Sequence, residues 1–321
     1  MHNARSEKVN VAVVQAAPLL LDRRSTVAKA CRLITEAAGQ GADLVLFPEA
    51  FIPAYPRGLS FGMVVGSRSP AGRELWREYW AQAVSIPGPA TAQLGQAAQE
   101  AGVYLAIGVI ERDQEYSGGT LYCTLLLFGP DGRILRKHRK LKPTGAERLI
   151  WGEGDGRSLQ VVETLLGRMG GLICWENYMP LARMALYSQG VELYLAPTAD
   201  ARDTWQATLR HIALEGRCFV LGSNQYVTKA MLPAGWRDLP EMAAQPEILC
   251  RGGSAIIGPL GEVLAGPLYD QEGILYAELD RKDLVRSKLD FDVVGHYARP
   301  DVFDFRLRKS GSSADDVHQG L

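Results

Sequence analysis

VNVAVVQAAPLLLDRRSTVAKACRLITEAAGQGADLVLF, from Val9 to Phe47, decides the architecture. Val9 to Ala16 is short, rich in valine and closed by Pro18, which reads as a strand. Ser25 to Ala38 carries helical spacing and stops at Gly39, and Asp43 to Phe47 is a second apolar strand. The opening is therefore β-α-β. The apolar run Val9 to Leu21 contains Gln15 and Pro18 and runs straight into Asp22, Arg23 and Arg24, unlike a signal peptide or a membrane span.

Outward from this unit, Phe51 to Gly72 is rich in Pro and Gly and reads as a loop over a site. Helical stretches at Arg73 to Val84 and Ala90 to Ala101 precede a strand at Val103 to Ile110. Leu121 to Phe128 and Arg133 to Lys137 flank Gly129-Pro130-Asp131-Gly132 and predict a hairpin. A near copy of that turn, Gly258-Pro259-Leu260-Gly261, hints at two related halves. Between the turns the pattern predicts strands at Met169 to Ile173, Val191 to Leu195 and Phe219 to Gln225, with helices at Pro180 to Gln189 and Thr204 to Arg217. The fold class is α/β. No stretch reads as a flexible linker, so residues 1–308 are expected to form one domain, and residues 309–321, with Ser-Gly-Ser-Ser and Asp-Asp, read as a disordered tail.

With 47% hydrophobic and 22% charged residues, the 321-residue chain can bury a large core. Its 35 basic and 36 acidic residues leave a formal charge of -1, so neither nucleic acid nor an anionic membrane is an expected partner, and a neutral small molecule fits best. The five cysteines are odd in number and scattered, without a Cys-x-x-Cys pair. That argues against a disulfide framework and a zinc site, and points to a reducing cytoplasm.

Two polar residues stand where apolar segments end, and a third candidate lies in a basic run. Cys174 follows Gly170-Gly171-Leu172-Ile173 and precedes Trp175-Glu176-Asn177-Tyr178-Met179-Pro180, a turn between strand and helix that exposes its side chain. Backbone N–H groups at such a helix start favour thiolate over thiol and can bind a developing anion, although a lone cysteine is more often a small buried hydrophobe. Glu49 closes Leu44-Val45-Leu46-Phe47-Pro48, where burial raises proton affinity and suits a general base; a surface acid is the plain alternative. Arg136-Lys137-His138-Arg139-Lys140-Leu141-Lys142-Pro143-Thr144 is a basic run that reads equally as a solvated strand end. A lysine turned inward from it between two carboxylates would stay charged and donate to an atom gaining negative charge. A Cys-His site pairing Cys174 with His138, His211 or His296 is neither supported nor excluded by sequence separation. Gly152-x-Gly154-x-Gly156 lacks the flanking strand and helix of a phosphate loop and reads as a loop near the site.

Phe47-Pro48-Glu49, Arg139-Lys140-Leu141-Lys142-Pro143-Thr144 and Cys174-Trp175-Glu176-Asn177 resemble, in order, the three motifs of the nitrilase superfamily of carbon–nitrogen hydrolases. Tyr55-Pro56-Arg57-Gly58, Glu147-Arg148, the stretch Trp151 to Gly156 and the stretch His296 to Phe303 resemble its true nitrilase branch. The resemblance implies an α-β-β-α sandwich with two pseudo-symmetric halves, and a catalytic set of Glu49, Lys140 and Cys174 with Glu147 as the additional glutamate. Lys142 is the competing lysine, expected to point to the other face of the extended segment. Tyr55, Trp151 and Trp175 are expected to line the substrate pocket, with core packing as the alternative.

The implied activity is hydrolysis of an organic nitrile to the carboxylic acid and ammonia through a covalent cysteine thioimidate and thioester, without cofactor or metal. An aliphatic amidase, an N-carbamoyl amide hydrolase or a cyanide-converting enzyme on the same triad is the alternative, and Trp175-Glu176 after the cysteine favours the nitrilase form. A non-enzymatic member would be expected to lack one of the three residues, and none is missing. Metal-dependent nitrile hydration lacks clustered cysteine ligands. The family implies a homodimer or a larger homo-oligomer such as a spiral.

Overall fold

In the computed structural model, which describes residues 7–307, alternate residues of β1 (Lys8–Gln15) enter two different buried layers. Val9, Val11 and Val13 lie in one core cluster, Ala12 and Val14 in another, because successive strand side chains point to opposite faces. Burial on both faces explains the almost unbroken apolar run. Helix α1 (Arg23–Gly39), capped by the Asp22 side chain, lays Val27, Ala30, Ile34 and Ala37 on the Ala12 face. Strand β2 (Leu44–Leu46) then returns parallel to β1.

The Pro/Gly-rich stretch holds only the short pair β3 (Met63–Val64) and β4 (Ser67–Arg68) before α2 (Pro70–Gln82) and α3 (Pro89–Ala101). β5 (Tyr104–Arg112) lies parallel to β2, and β6 (Leu121–Phe128) and β7 (Ile134–Arg139) follow antiparallel. The second half runs β8 (Val162–Thr164), β9 (Gly167–Gly171), α4 (Pro180–Tyr187), β10 (Leu193–Pro197), α5 (Asp203–Gly216), β11 (Phe219–Ser223) and β12 (Tyr226–Thr228). After α6 (Ala234–Arg237) and α7 (Pro240–Ala243) come β13 (Ile248–Ile257) and β14 (Val263–Tyr269). β15 (Gly273–Asp280), followed by α8 (Lys282–Ser287), crosses back to pair antiparallel with β1.

One sheet has the order β15-β1-β2-β5-β6-β7, the other β12-β13-β11-β10-β9-β8 with β14 on β13. The layer between them holds Val11, Val13, Leu44, Leu46, Met169, Leu193, Leu195 and Leu221. Helices α1 and α3 cover the outer face of the first sheet, and α4 and α5 cover that of the second through Leu172, Tyr194, Ala196 and Val220. This is the expected α-β-β-α sandwich.

The halves repeat each other. β1, β2 and β5 are parallel and lead into antiparallel β6 and β7; β9, β10 and β11 are parallel and lead into antiparallel β13 and β14. The two Gly-Pro turns join equivalent strands, with Gly132 at φ 77° and Gly261 at φ 79°. Leu46 pairs with Val13 and Ala106, as Leu195 pairs with Gly171 and Leu221. Three residues beyond each, Glu49 and Thr198 therefore occupy equivalent places.

The helix expected over 180–189 stops at Tyr187, where Gly190 takes φ 69° and donates to Tyr187 O at 2.7 Å. The tail reading from Lys309 onward lies outside the described residues. Among the described residues no helix is long and apolar enough to cross a membrane.

Candidate active site

Glu49 sits on a tight return of the chain beyond β2. Pro48 has no N–H to continue the ladder, Ala50 takes φ 48°, and Gln225 Nε2 donates to Glu49 O at 2.9 Å. The loop lies directly on Gly108, where an added Cβ would come within 2.3 Å of Pro48 O. Lys140 follows β7: its N–H donates to Cys123 O and its carbonyl accepts from Gly154 N, both at 2.8 Å. The glycine stretch 152–156 thus does border the site, and a Cβ on Gly154 would meet Arg139 O at 2.2 Å.

Cys174 lies beyond β9 at φ 53°, left-handed backbone that costs a non-glycine residue on the order of 1–3 kcal/mol. Asn177 Nδ2 braces the bend by donating to Leu172 O (3.1 Å) and Cys174 O (2.8 Å). A short 3-10 turn, Cys174–Tyr178, intervenes before α4 begins at Pro180. The helix start expected directly beneath the cysteine is displaced along the chain, and a helix dipole fades within its first turn.

The three residues converge with Glu147. Lys140 Nζ donates to Glu49 Oε1 at 2.7 Å and to Glu147 Oε2 at 2.8 Å. Tyr55 Oη donates to Glu147 Oε1 at 2.7 Å, and Thr144 N to Glu147 Oε2 at 2.6 Å. Glu49 Oε1 also takes the Cys123 thiol at 3.5 Å, whereas Glu49 Oε2 is buried and has no hydrogen-bond partner among the described residues. Thr198 Oγ1 approaches Cys174 Sγ at 3.2 Å.

Burial pushes the Glu49 carboxyl above the ordinary carboxylate range, against the pull of Lys140. Burial works to discharge Lys140, but Glu49, Cys174 and Glu147 outweigh it and hold the ammonium well above its ordinary value. The Cys174 thiol is pushed up to about 12 by burial and by Glu49, opposite to the activation expected from a helix start. A thiolate here needs its proton taken by a neighbour.

Glu176 ties the two halves of the site together. It is buried and accepts from Leu141 N (2.6 Å), next to Lys140, and from Ile173 N (2.7 Å), next to Cys174. His138 Nε2 lies 3.0 Å from its Oε2, and His138 Nδ1 lies 2.8 Å from Ser158 Oγ. Burial opposes ionisation of Glu176, but His138 and the two amides win and hold its carboxyl below the ordinary range.

A cleft of about 580 Å³ opens over this cluster, lined by Tyr55, Glu147, Cys174 and Trp175 among others. Trp175 Nε1 donates to Asp200 Oδ2 at 2.8 Å under the Arg202 guanidinium, 4.7 Å from the ring centre. Trp151 is not among the lining residues; it is buried behind Tyr55, with ring centres 5.6 Å apart, and supports that wall from the core. The wall is more polar than aromatic residues alone would make it, since Arg57, Arg202, Arg251, Asp200 and Asp270 also line it. Lys142, the competing lysine, is exposed and pairs with Glu153, whereas Lys140 lies between the two buried carboxylates. His138 is engaged by Glu176, His211 is exposed on the outer side of α5 at 3.6 Å from Glu215, and His296 packs on Tyr297. The Cys-His alternative therefore has no partner at Cys174 among the described residues. Glu176 lies inside the third motif and His138 in the basic run just before the second; Thr198 carries no sequence signal beyond a proline before it, as Glu49 has.

The carbon–nitrogen hydrolase family profile matches residues 10–288. The chain is 55% identical over 308 residues to an aliphatic nitrilase of Sinorhizobium fredii, covering 96% of this chain and 98% of that protein. It is 50% identical over 313 residues to a bifunctional nitrilase/nitrile hydratase of Nicotiana tabacum, covering 95% and 88%. A solved carbon–nitrogen hydrolase from Helicobacter pylori shares the fold at TM-score 0.72 and 22% identity, covering 92% of this chain and 97% of that one. The chain belongs to the nitrilase superfamily of carbon–nitrogen hydrolases, in its nitrilase branch.

Proposed function

We propose that this protein is a nitrilase, converting an organic nitrile and two waters into the carboxylic acid and ammonia, with Cys174 as nucleophile, Glu49 as general base, Lys140 as charge stabiliser and Glu147 as the group that holds Lys140. The observation that carries the reading is the buried Lys140 ammonium bridging Glu49 and Glu147 below the cleft onto which Cys174 opens. Glu49 Oε2, without a partner, takes the thiol proton as sulfur bonds to the nitrile carbon, and nitrogen, gaining charge, is met by Lys140. Water activated by Glu49 adds to the thioimidate and ammonia leaves. A second water then cleaves the thioester, and the sulfur recovers its proton. No cofactor or metal enters these steps. Tyr55 and Trp175 contact the substrate, and Trp151 backs Tyr55.

The test is ammonia release from a panel of nitriles and their matching amides, with products identified and Cys174→Ala as blank. Acid from nitriles that is lost in the blank supports the reading; turnover of amides alone overturns it. The tobacco relative's second named activity makes released amide worth quantifying in the same assay.

The same reading takes residues 1–308 as one catalytic domain that works in a reducing cytoplasm as a homodimer or larger homo-oligomer such as a spiral. Five free cysteines support the compartment, and exposed Val285, Leu289, Tyr297, Val302 and Phe303 near the C-terminal end support assembly.

A further inference from the structure

The Cys174 sulfur lies within hydrogen-bonding distance of a residue that no motif singles out. Thr198 is buried, and its Oγ1 lies 3.2 Å from Cys174 Sγ. Asp200 N donates to the same Oγ1 at 3.0 Å, which takes one of its two lone pairs and orients the hydroxyl. A thiolate carries no proton, so against the ionised sulfur the hydroxyl is the donor. Its position is fixed by backbone: Thr198 N donates to Ser223 O at 2.9 Å, and Asn224 Nδ2 to Asp200 O at 2.9 Å.

The internal repeat gives this a logic. Thr198 follows Pro197 at the end of β10 as Glu49 follows Pro48 beyond β2, so equivalent positions of the two halves face one sulfur. One half supplies a proton acceptor, the other a donor.

Resting on the reading of Cys174 as nucleophile, we propose that Thr198 is a further catalytic residue, whose hydroxyl donates a hydrogen bond to the sulfur and stabilises its anionic form. The hydroxyl acts twice without transferring an atom. It acts first when Glu49 removes the thiol proton. It acts again when water adds to the thioester and the carbon–sulfur bond breaks, returning the electron pair to sulfur. The charged groups bearing on that sulfur are Glu49, Lys140 and, from the cleft wall, Arg202 paired with Asp200.

The test compares Thr198→Val, which keeps the shape and removes the hydroxyl, with Thr198→Ser, which keeps the hydroxyl. Two readouts are taken on the full chain: kcat and KM for a nitrile, and the pH dependence of Cys174 alkylation by iodoacetamide followed by intact mass. A hydrogen bond to a charged group predicts a loss in kcat on the order of ten- to a hundredfold for the valine variant, with KM little changed. Its alkylation profile should move to higher pH by roughly one unit, and serine should restore both. Thr198→Ala serves if valine does not fold. Unchanged kcat and an unchanged alkylation profile overturn the proposal, as does equal loss in the serine variant. If the wild-type chain releases no ammonia from any nitrile, the nitrilase reading fails, and the alkylation profiles, which need no substrate, still decide the role of Thr198.

Discussion

Lys140 and Lys142 are two residues apart, yet one is buried between carboxylates and the other is exposed beside Glu153. Removing a preorganised donor costs on the order of a hundredfold or more in turnover, so Lys140→Ala should lose at least that, whereas Lys142→Ala should stay within about twofold. Steady-state kinetics of the two variants check it, and near-full activity for Lys140→Ala would remove the proposed role. The acidity of Glu49 gives a second expectation at this scale. As proposed base it must be ionised, and burial raises its proton affinity. The rate should therefore fall as pH drops through a value above the free-glutamate range of about 4.3, and an acid limb at or below that range in the kcat/KM profile would contradict it.

At the scale of elements, the site is held by contacts between loops that follow different strands. Glu176 joins the ends of β7 and β9 through Leu141 N and Ile173 N. Glu176→Gln places a donor against one of these amides and should lower kcat well beyond its effect on KM, because it moves Lys140 relative to Cys174. Glu176→Ala leaves the Leu141 and Ile173 N–H groups without their acceptor, at about 1–3 kcal/mol for each buried donor, so it should unfold at clearly lower denaturant. The folded carboxyl lies below its ordinary range, so this stabilisation is fully present above the unfolded value of about 4.3 and is lost as pH falls from there through the lower folded value. The gap between the denaturant midpoints of wild type and variant should thus be smaller at pH 3.5 than at pH 7, and an equal gap at both would contradict it. Gly108 gives the parallel case for Glu49: a methyl there would strike Pro48 O at 2.3 Å, so Gly108→Ala should cost activity by shifting the Glu49 loop. An unperturbed kcat in that variant would show that the loop has room to spare.

Over the whole molecule, the layer between the sheets carries both stability and the alignment of the halves. Leu195 is buried there beside Met169 and Leu221. Leu195→Ala should cost about 2–5 kcal/mol, and for a chain forming one proposed unit the loss should appear in a single unfolding transition. Calorimetry and activity loss on heating check it, and two separate transitions would divide the chain. β15 pairs with β1 at one edge of the first sheet, so that sheet is completed by a strand from late in the chain.

The sequence by itself determined the order of elements, the repeated Gly-Pro turn, the apolar segments that end in Glu49 and Cys174, and the basic run that carries Lys140. These are local matters of period, turn chemistry and short motifs, and they survive without coordinates. It left open which lysine faces inward, whether Trp151 touches the cleft and what surrounds the thiol. Those depend on groups far apart in the chain. Burial and the Glu49 charge reverse the expected thiol activation, Tyr55 stands between Trp151 and the cleft, and Thr198 reaches the sulfur because β10 lies next to β9. Glu176 shows the same division in one residue: its motif was readable, but its work rests on amides brought together by two sheets. Hydrogen bonds and desolvation act over a few ångströms in space, whatever the separation along the chain, and only the packed sandwich sets those distances.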